Sequence, residues 1–496
     1  MSYEEAQRKI AAAKAEGARV LDLAGLELER LPPELWELVG LEVLVLGKFD
    51  GERWIGNKLS SVPPEIGQLT NLQQLDLSGT QLSSVPPEIG QLTNLNTLKL
   101  YNCGITTVPD WIQTLPNLET LDLRANPLPI PPELLEIPGR FAWDKQPGDI
   151  KAVLSFYFQS QTAEAQALNE AKILIIGEGG AGKTTLAQKL LNANYKLKEE
   201  PSTEGIDVLA WEFATPGGQP FRARIWDFGG QEIYHQTHQF FLSKRSLYIL
   251  VADSRKEDTD FYYWLKTVNL LGGDSPVIIV KNEKQDRQWD INERQLRGEF
   301  LHLERVFAVN LATNRGLADL TRYIQQRLTT LDHVGTPLPP SWTRVRAILE
   351  NSSHSRNTLD RSQYFDFCRQ QALTNPDEML RISDYLHDLG ICLHFQEDKV
   401  LKHLLILKPE WGTAAAYKIL DNPTIRSNLG HFTTADLKKL WTGSYAPYRD
   451  ELLELMQKFK LCYEIPRQDH HYIAPQLLSE NQPCYTWDDS PNLRLR

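Results

Sequence analysis

Cysteine is scarce in this chain and is not arranged for a disulfide framework or a metal site. The 496 residues include five cysteines, an odd number that cannot all pair within one chain. None stands at the short spacing typical of metal ligands, so we expect reduced thiols in a cytoplasmic compartment. The five are Cys103, Cys368, Cys392, Cys462 and Cys484.

Long apolar runs and an excess of basic charge are also lacking. No run approaches the ~20 apolar residues that a transmembrane helix needs, and residues 1–17 have no signal-peptide core. Lys and Arg number 53 against 64 Asp and Glu, and this net charge of −11 argues against binding to nucleic acid or to an anionic membrane. The length and an apolar content of 41% predict a cytoplasmic globular protein of about three or four domains.

The first quarter of the chain is self-similar. The segments 71–77, 94–100 and 117–123 start 23 residues apart and share the pattern L-x-x-L-x-L, followed by L-x-x-[LV]-P. This skeleton is that of leucine-rich repeats, in which each repeat supplies one short strand. Because one repeat cannot bury its leucines alone, we expect the repeats at 17–139 to stack into a curved α/β solenoid.

The outward strand positions of this array are candidates for contact with an unknown protein partner, because they would line the concave face. They are Gln74, Asp76, Thr97, Lys99, Thr120 and Asp122. An insert of 8 residues at about Phe49 to Asn57 adds Trp54 as a further candidate. The ladder position that follows each strand is occupied by Thr80, Cys103 and Asn126.

Residues 140–170 follow with a helical rather than a repeat pattern. Apolar side chains recur there at three- and four-residue steps, at Ile150, Val153, Leu154, Tyr157 and Phe158. We expect a linker helix that packs on the end of the repeats.

A glycine-rich segment then follows an apolar strand at 172–176 and precedes an amphipathic helix at 186–191. Its sequence is Gly177-Glu178-Gly179-Gly180-Ala181-Gly182-Lys183-Thr184-Thr185. Glycines let several N–H groups converge on one anion at a helix N-terminus, the lysine reaches the β- and γ-phosphates, and Thr184 can bind Mg²⁺. A plain glycine-rich turn would need neither the lysine nor the threonine, so we expect a nucleoside triphosphate site.

A second motif lies at the end of a strand at 222–226. The segment from Asp227 to Gln231 has the pattern D-x-G-G-Q, which is that of switch II in Ras-like GTPases. In this role Asp227 would help to hold Mg²⁺, the Gly230 N–H would contact a γ-phosphate, and Gln231 would orient the attacking water. Thr203, in a polar loop between the two motifs, is the expected switch I residue and a further magnesium ligand; the alternative is a helix-capping or loop threonine.

The segment that would select the base comes after two apolar stretches typical of buried parallel strands. Guanine recognition in this superfamily uses N-K-x-D, whereas Asn282-Glu-Lys284-Gln-Asp286 has one residue more. Asn282 and Lys284 keep the usual roles if Asp286 is shifted; otherwise Asp286 is an ordinary acid at a helix start. The expected last base-contacting loop comprises Asn310, Leu311 and Ala312. GTP is favoured over ATP.

The last third of the chain alternates helical patterns with hairpin patterns. Three helical patterns and a hairpin around 396–399 predict a winged helix, and a similar helix and hairpin recur at 448–478. A helix that reads DNA should be basic, but the helix at 377–389 carries four acidic residues and one arginine. We therefore expect an α+β module that offers a protein-interaction surface.

In this order the three parts resemble the Roco family, in which leucine-rich repeats precede a Ras-like Roc domain and a COR domain. The resemblance rests mainly on the phosphate loop and on 227–231, with Trp226 before this motif and Tyr234-His235 after it. It implies a Roc domain at 171–332 and the N-terminal part of COR, with winged-helix elements, at 333–496. It also implies slow GTP hydrolysis with Mg²⁺ and a homodimer through COR and Roc that is linked to the nucleotide cycle.

The resemblance further implies an arginine at the transition state. Arg255 is the candidate by position, and the alternative is a solvated loop arginine. The other two predicted catalytic residues are Lys183 and Gln231. The family's COR domain is longer than 333–496, so we expect a shortened or incomplete COR here. Two other functions stay open, a signalling ATPase of the repeat-bearing immune-receptor type and a non-catalytic nucleotide-binding scaffold.

Overall fold

The computed structural model describes residues 2–49, 54–137, 145–197, 206–228, 241–255, 260–287 and 290–478. The chain divides into two compact units. The first comprises Met1–Leu168 and Gly335–Thr343, and the second comprises Asn169–Val334 and Arg344–Arg496. Among the described residues, no helix combines the length and the apolar character needed to cross a membrane.

A sheet of short strands forms the centre of the first unit. The strands are β1 (Val20–Asp22), β2 (Val43–Phe49), β3 (Trp54–Gly56), β4 (Gln74–Leu77), β5 (Thr97–Lys99) and β6 (Thr120–Asp122). Their order is β1-β2-β4-β5-β6, all parallel, and β3 forms an antiparallel hairpin with β2. The strand leucines of one repeat, Leu72, Leu75 and Leu77, have no exposed surface. Three 3₁₀ segments between strands, such as Pro64–Gln68, start at a proline of the repeat, because proline suits a first helical turn, and a fourth, Asp110–Thr114, directly follows Pro109.

Side-chain amides connect neighbouring repeats. Asn126 accepts hydrogen bonds at 2.9–3.0 Å from three backbone N–H groups, those of Cys103, Gly104 and Ile105. Asn57 accepts one from Leu28 N and donates to the carbonyl oxygens of Leu23 and Leu46. The expectation that the insert extends to Asn57 is therefore wrong, since Asn57 is a ladder residue with 2% exposure. The Trp54 ring stacks on Tyr101 with 4.0 Å between ring centroids.

The six outward strand positions lie in two rows across this sheet, Gln74–Thr97–Thr120 and Asp76–Lys99–Asp122. Two of these expected contact residues are buried, Asp76 at 3% and Asp122 at 2% exposure. Asp76 accepts a hydrogen bond from the Ser78 N–H, and Asp122 forms an ion pair of 2.6 Å with Arg124. Internal partners thus hold both carboxylates, and the prediction that Asp76 and Asp122 are contact positions on the concave face is corrected.

The expected linker helix is present in the first unit. This helix is α3 (Ile150–Ser160). The other elements of the first unit are α1 (Ser2–Glu16), α2 (Pro132–Leu135), β7 (Glu136–Ile137), β8 (Gln146–Pro147) and β9 (Gln166–Ala167). Strand β9 pairs with β16 (Pro337–Leu338). Asp149 caps α3 by accepting a hydrogen bond from Ala152 N at 2.8 Å. The Tyr157 hydroxyl accepts another from Val108 N at 3.1 Å, which joins α3 to the repeats. Residues 138–144 lie outside the described part of the chain.

A six-stranded sheet covered on both faces begins the second unit. Its strands and helices are β10 (Glu170–Ile176), α4 (Lys183–Leu191), β11 (Ile206–Ala214), β12 (Pro220–Phe228), β13 (Ser246–Asp253), α5 (Phe261–Leu271), β14 (Val277–Asn282), α6 (Glu293–Glu299), β15 (Leu303–Val309) and α7 (Leu317–Leu328). The order is β11-β12-β10-β13-β14-β15, and every neighbouring pair is parallel except β11 with β12. Ile173 packs with α4 and α7, whereas Leu174 packs with α5 and α6. Because successive strand residues face opposite covered sides, the central strands β13 and β14 are largely apolar.

Two small groups of helices and strands follow along the chain, and all but residues 340–343 of the first helix belong to the second unit. They contain α8 (Pro340–Ser355), β17 (Thr358–Asp360), α9 (Arg361–Gln370), α10 (Pro376–Asp388), β18 (Leu393–His394) and β19 (Leu404–Ile406), then α11 (Pro409–Leu420), α12 (Pro423–Ser427), β20 (His431–Thr433), α13 (Thr434–Leu440), α14 (Arg449–Lys458), β21 (Tyr463–Glu464) and β22 (His471–Ile473). The sheets have the orders β17-β19-β18 and β20-β22-β21. Each expected hairpin thus has a third strand that the sequence pattern did not predict, because three residues are too few to show an alternation.

Candidate functional site

The glycine-rich loop lies between β10 and α4. The helix begins at Lys183, earlier than the pattern at 186–191 indicates. Gly177 and Gly182 have positive φ angles of 133° and 105°. A Cβ atom at these positions would lie 2.2 Å from the Val251 carbonyl oxygen and 2.6 Å from Asn282 Nδ2. Only glycine fits both places, so the backbone can fold tightly in front of the helix N-terminus.

Lys183 lies inside this loop. Its ammonium donates hydrogen bonds to the carbonyl oxygens of Gly177 at 2.8 Å and Glu178 at 2.9 Å. Burial lowers the pKa of Lys183 to about 8, although the negative charges of Asp227 and Glu178 act in the opposite direction. The ammonium is therefore positioned where it would meet a phosphate bound by the loop.

Asp227, a predicted magnesium ligand, is fully buried on β12. It pairs in register with Ile175 of β10, two residues before the loop. Thr184 lies in the first turn of α4, and its hydroxyl and the Asp227 carboxylate offer the oxygen ligands that Mg²⁺ prefers. Thr203, Gly230 and Gln231 lie outside the described residues, so their roles stay predictions.

The irregular base-recognition segment contacts the phosphate loop directly. Asn282 Nδ2 donates a hydrogen bond of 2.9 Å to the Ala181 carbonyl oxygen. Lys284 Nζ donates one to the Gly180 carbonyl oxygen. Two side chains of the motif thus reach the loop in spite of the additional residue.

The predicted last base-contacting loop lies beside Asn282. Leu311 N donates to Asn282 Oδ1 at 3.4 Å, and Asn310 Oδ1 accepts from Ala312 N at 2.9 Å. The structure therefore brings together two segments that are separate in sequence. The side chain of Asp286 lies outside the described residues, and both of its possible roles stay open.

Asp253, which the sequence analysis did not single out, organises the end of β13. Its carboxylate accepts hydrogen bonds from Lys284 Nζ at 3.0 Å and from Arg255 Nε and Nη2 at 3.2 and 2.9 Å. Burial alone would raise the pKa of Asp253, but the hydrogen bonds from Arg255 and Lys284 outweigh it and lower the pKa to about 2. Arg255, the candidate transition-state arginine, is thus paired with Asp253, and its catalytic role stays a prediction.

A tryptophan connects the phosphate loop to α5. Trp264 Nε1 donates a hydrogen bond of 3.1 Å to Glu178 Oε1, and the Trp264 side chain is 1% exposed. In the sequence Trp264 shows only as one apolar position of a helix, so no pattern could reveal this contact.

Three family models match the chain in succession. The first is a leucine-rich repeat region, which matches residues 16–127. The second, described as "Ras of Complex, Roc, domain of DAPkinase", matches 172–286. The third, described as "C-terminal of Roc, COR-A domain", matches 339–478. The solved structure of Methanosarcina barkeri Roco2 RocCORdC bound to GDP is 33% identical, has a TM-score of 0.59, and covers 65% of this chain and 100% of that chain. The chain belongs to the Roco family.

Curated relatives of this Roco protein are more distant in sequence. The Roc-COR-CHAT protease of Runella zeae is 27% identical over 340 residues, which are 64% of this chain and 36% of that protein. The probable serine/threonine-protein kinase pats1 of Dictyostelium discoideum is 26% identical over 373 residues, 68% of this chain and 12% of that protein. The chain thus spans 36% or less of the length of these two relatives. The parts of the chain that match family models are leucine-rich repeats, Roc and COR-A.

In this Roco protein, a charge network connects strands β10 and β12 to the first COR helix. Glu170, at the start of β10, accepts hydrogen bonds from Arg346 Nε at 2.8 Å and Nη2 at 2.7 Å. Arg224 of β12 forms a salt bridge with Glu350 of the same helix, α8. The Glu170 side chain is 8% exposed and that of Arg346 is 19% exposed. Charged residues without periodicity are normally assigned to solvent, so sequence reasoning missed this network.

A buried lysine lies deeper in the same junction. Lys172 of β10 is completely buried and its ammonium lies 4.4 Å from the centroid of the Trp226 ring. Ser243 accepts a hydrogen bond of 3.0 Å from Lys172 Nζ and donates another of 3.0 Å to the carbonyl oxygen of Asp388, in COR helix α10. Burial lowers the pKa of Lys172 to about 7, while the charge of Asp388 acts to raise it.

Proposed function

We propose that this Roco protein binds GTP, hydrolyses it slowly to GDP and phosphate, and acts as a signalling switch. The observation that carries the proposal is the pair of hydrogen bonds from Asn282 and Lys284 to the carbonyl oxygens of Ala181 and Gly180. One nucleotide can span a phosphate loop and a base-recognition segment only if the two lie side by side. The GDP bound to the Methanosarcina barkeri relative supports a guanine nucleotide.

The phosphate loop would bind the triphosphate through its backbone N–H groups at the N-terminus of α4. Lys183 would exchange its carbonyl partners in Gly177 and Glu178 for β- and γ-phosphate oxygens. These two carbonyl contacts keep the ammonium inside the loop before nucleotide arrives, which limits the reorganisation that binding requires. The proposed nucleotide-binding residues are Gly177 to Thr185, Thr203, Asp227, Gly230, Asn282, Lys284, Asp286 and Asn310 to Ala312.

Mg²⁺ is the proposed cofactor, with Thr184, Thr203 and Asp227 as its protein ligands. When bound, it supplies positive charge that offsets the charge of the β- and γ-phosphates. Gln231 would orient the attacking water, and Lys183 would stabilise the charge that develops on the phosphate oxygens. Arg255 would have to leave Asp253 before it could contribute to the transition state.

The other parts of the chain would detect or transmit the state of this switch. We propose repeats at 17–139 that form a curved solenoid and bind a protein partner, a linker at 140–170, Roc at 171–332, and a COR part at 333–496 with winged-helix elements. COR, together with Roc, would form a homodimer, and the protein would act in the cytoplasm. The acidic composition, with a net charge of −11, supports a protein partner over a nucleic acid.

The test is the nucleotide content and turnover of the purified full chain. We expect guanine nucleotide to co-purify, and GTP turnover with Mg²⁺ to be lost in both Lys183→Ala and Gln231→Leu. GDP binding should be lost in Lys183→Ala and kept in Gln231→Leu. Equal turnover of ATP would instead support the signalling ATPase, and tight GTP binding without turnover in the wild type would support the scaffold.

A further inference from the structure

Glu283 is the residue that makes the base-recognition motif longer than N-K-x-D, and it is buried, with 4% exposure. Each of its polar groups has a partner. Its N–H donates a hydrogen bond of 2.7 Å to the Val309 carbonyl oxygen, and its own carbonyl oxygen accepts one of 3.0 Å from Asn310 Nδ2. Its carboxylate accepts one of 2.5 Å from Arg315 Nη2. The additional residue is thus bound on three sides to the end of β15 and the loop that follows.

The backbone of Arg315 also forms a hydrogen bond within that loop. Its carbonyl oxygen accepts a hydrogen bond of 3.0 Å from Asn310 N. Asn310 Oδ1 in turn accepts hydrogen bonds from the N–H groups of Ala312 and Thr313 at 2.9 and 3.1 Å. The position of Arg315 therefore determines the shape of the loop at 310–313, which is the loop expected to contact the base.

The chain accommodates Glu283 without removing its neighbours from the phosphate loop. Gln285 adopts a left-handed φ of 54°, which turns the backbone back after the additional residue. Lys284 reaches Asp253 and the Gly180 carbonyl oxygen. Glu283 thus joins the two base-facing segments, while the side chains on either side of it contact the phosphate loop.

The burial of this ion pair is asymmetric. The Glu283 side chain is 5% exposed, whereas that of Arg315 is 47% exposed. A buried carboxylate requires a charged or hydrogen-bonding partner, so loss of Arg315 would displace Glu283 and the backbone attached to it. Loss of the Glu283 charge, in contrast, leaves a guanidinium that is already half-exposed to water.

We propose that Glu283 and Arg315 are positioning residues for base recognition. Their ion pair fixes the loop at 310–312 relative to Asn282, so that a motif with one additional residue still selects guanine. This inference deepens the proposed function and rests on it.

The test is a double-mutant cycle of Glu283→Gln and Arg315→Gln in the full chain, with Kd measured for GDP and for ADP. The two nucleotides have the same phosphates, so the ratio of their Kd values isolates base recognition. We expect Arg315→Gln to lower the preference for GDP by about tenfold and Glu283→Gln to lower it by less, because the exposed guanidinium stays hydrated. The double variant should lower it no further than Arg315→Gln, as for two residues that act through one contact. Arg322→Gln is the matched control, because Arg322 pairs with Asp319 at an exposed site on α7 of the same domain.

Two further measurements distinguish a role in base recognition from a merely structural role. The melting temperature of each variant is compared with that of wild type, and Arg315→Lys keeps the charge but removes the planar guanidinium geometry. We expect Arg315→Lys to have the melting temperature of wild type and to lose part of the preference for GDP. An unchanged ratio in every variant, or equal weakening of GDP and ADP together with a lower melting temperature, would overturn the inference. Wild type that binds ADP as tightly as GDP would instead overturn the proposed function.

Discussion

The Lys172 ammonium donates a hydrogen bond of 2.6 Å to the carbonyl oxygen of Phe241. Phe241 is the first described residue after 229–240, the stretch that contains the predicted Gly230 and Gln231. One cluster of buried side chains joins Trp226 of Roc to Leu393 of COR around this contact. Lys172 thus holds the chain that follows the predicted switch II against a core that Roc shares with COR.

Replacing Lys172 with methionine should lower the free energy of unfolding of this unit. The substitution keeps an unbranched side chain but removes the donor to the Phe241 carbonyl oxygen and to Ser243, at an expected cost of about 1–3 kcal/mol. Urea unfolding followed by circular dichroism measures the loss. Lys266→Met, at an exposed position of α5, is the control and should change stability by no more than about 0.5 kcal/mol. Equal midpoints for the two variants would show that the Lys172 contacts contribute nothing.

The junction between β10 and α8 should depend on the charge of Glu170. Glu170→Gln leaves Arg346 with a neutral amide in place of a bidentate carboxylate, and we expect a loss of about 3 kcal/mol because the pair is largely buried. Asp366→Asn breaks a pair with Arg369 whose side chains are 63% and 57% exposed, and should cost less than about 1 kcal/mol. The two melting temperatures are compared under the same conditions. Similar losses in both variants would contradict the assigned role of burial.

The contact between Trp264 and Glu178 should matter more for nucleotide affinity than for stability. Trp264→Phe keeps an aromatic side chain in α5 but removes the hydrogen bond to the phosphate loop, which should weaken GDP binding by about 2- to 10-fold. Titration with a fluorescent GDP analogue measures this change. Trp411→Phe removes a comparable hydrogen bond, to Ser444 in COR, and should leave affinity unchanged. The assignment fails if both substitutions weaken binding to the same extent.

Mild acid should destabilise the second unit through its buried histidines. Burial lowers the pKa of His333 and of His387 to about 3, and the charge of Lys172 contributes at His387. Between pH 6.5 and these values the unfolded chain binds protons that the folded protein does not, so stability falls as pH falls. Each histidine adds a slope that rises to about 1.4 kcal/mol per pH unit as the unfolded imidazole becomes fully protonated.

Urea unfolding between pH 6.5 and pH 5 measures this slope. His387→Gln should make it shallower by the contribution of one histidine, whereas His354→Gln, at an exposed site on α8, should leave it unchanged. If the wild type and His387→Gln have the same slope, His387 does not exclude a proton in the folded state.

Much of the centre of the Roc sheet could be predicted from the sequence because its central strands are buried on both faces. The prediction for β13, Ser246–Asp253, agrees with the structure at both ends, and every residue of that strand is buried. The COR strands could not be predicted in the same way. β17 and β20 have three residues each, and tertiary pairing rather than local pattern makes them strands.

Some residues of the candidate site could likewise be predicted from sequence motifs, and others could not. The motifs indicated Lys183, Asn282 and Lys284, and the structure brings all three to the same loop. Asp253 and Glu283 were missed as members of the site. In the sequence each is one acid among 64 acidic residues, with no periodicity or motif position that would separate it from a solvated one.

By itself, the sequence determined the glycine-rich strand–loop–helix unit and the leucine repeats. Both depend on local chemistry, namely glycines at positive φ before a helix and leucines at a fixed period. Only the tertiary structure decided how the site is held, because its contacts join residues far apart in the chain. Lys284 and Gly180 are 104 positions apart, and Trp264 and Glu178 are 86 apart. These residues meet because parallel strands end at the same edge of one sheet, and the same packing buries Glu283 against Arg315.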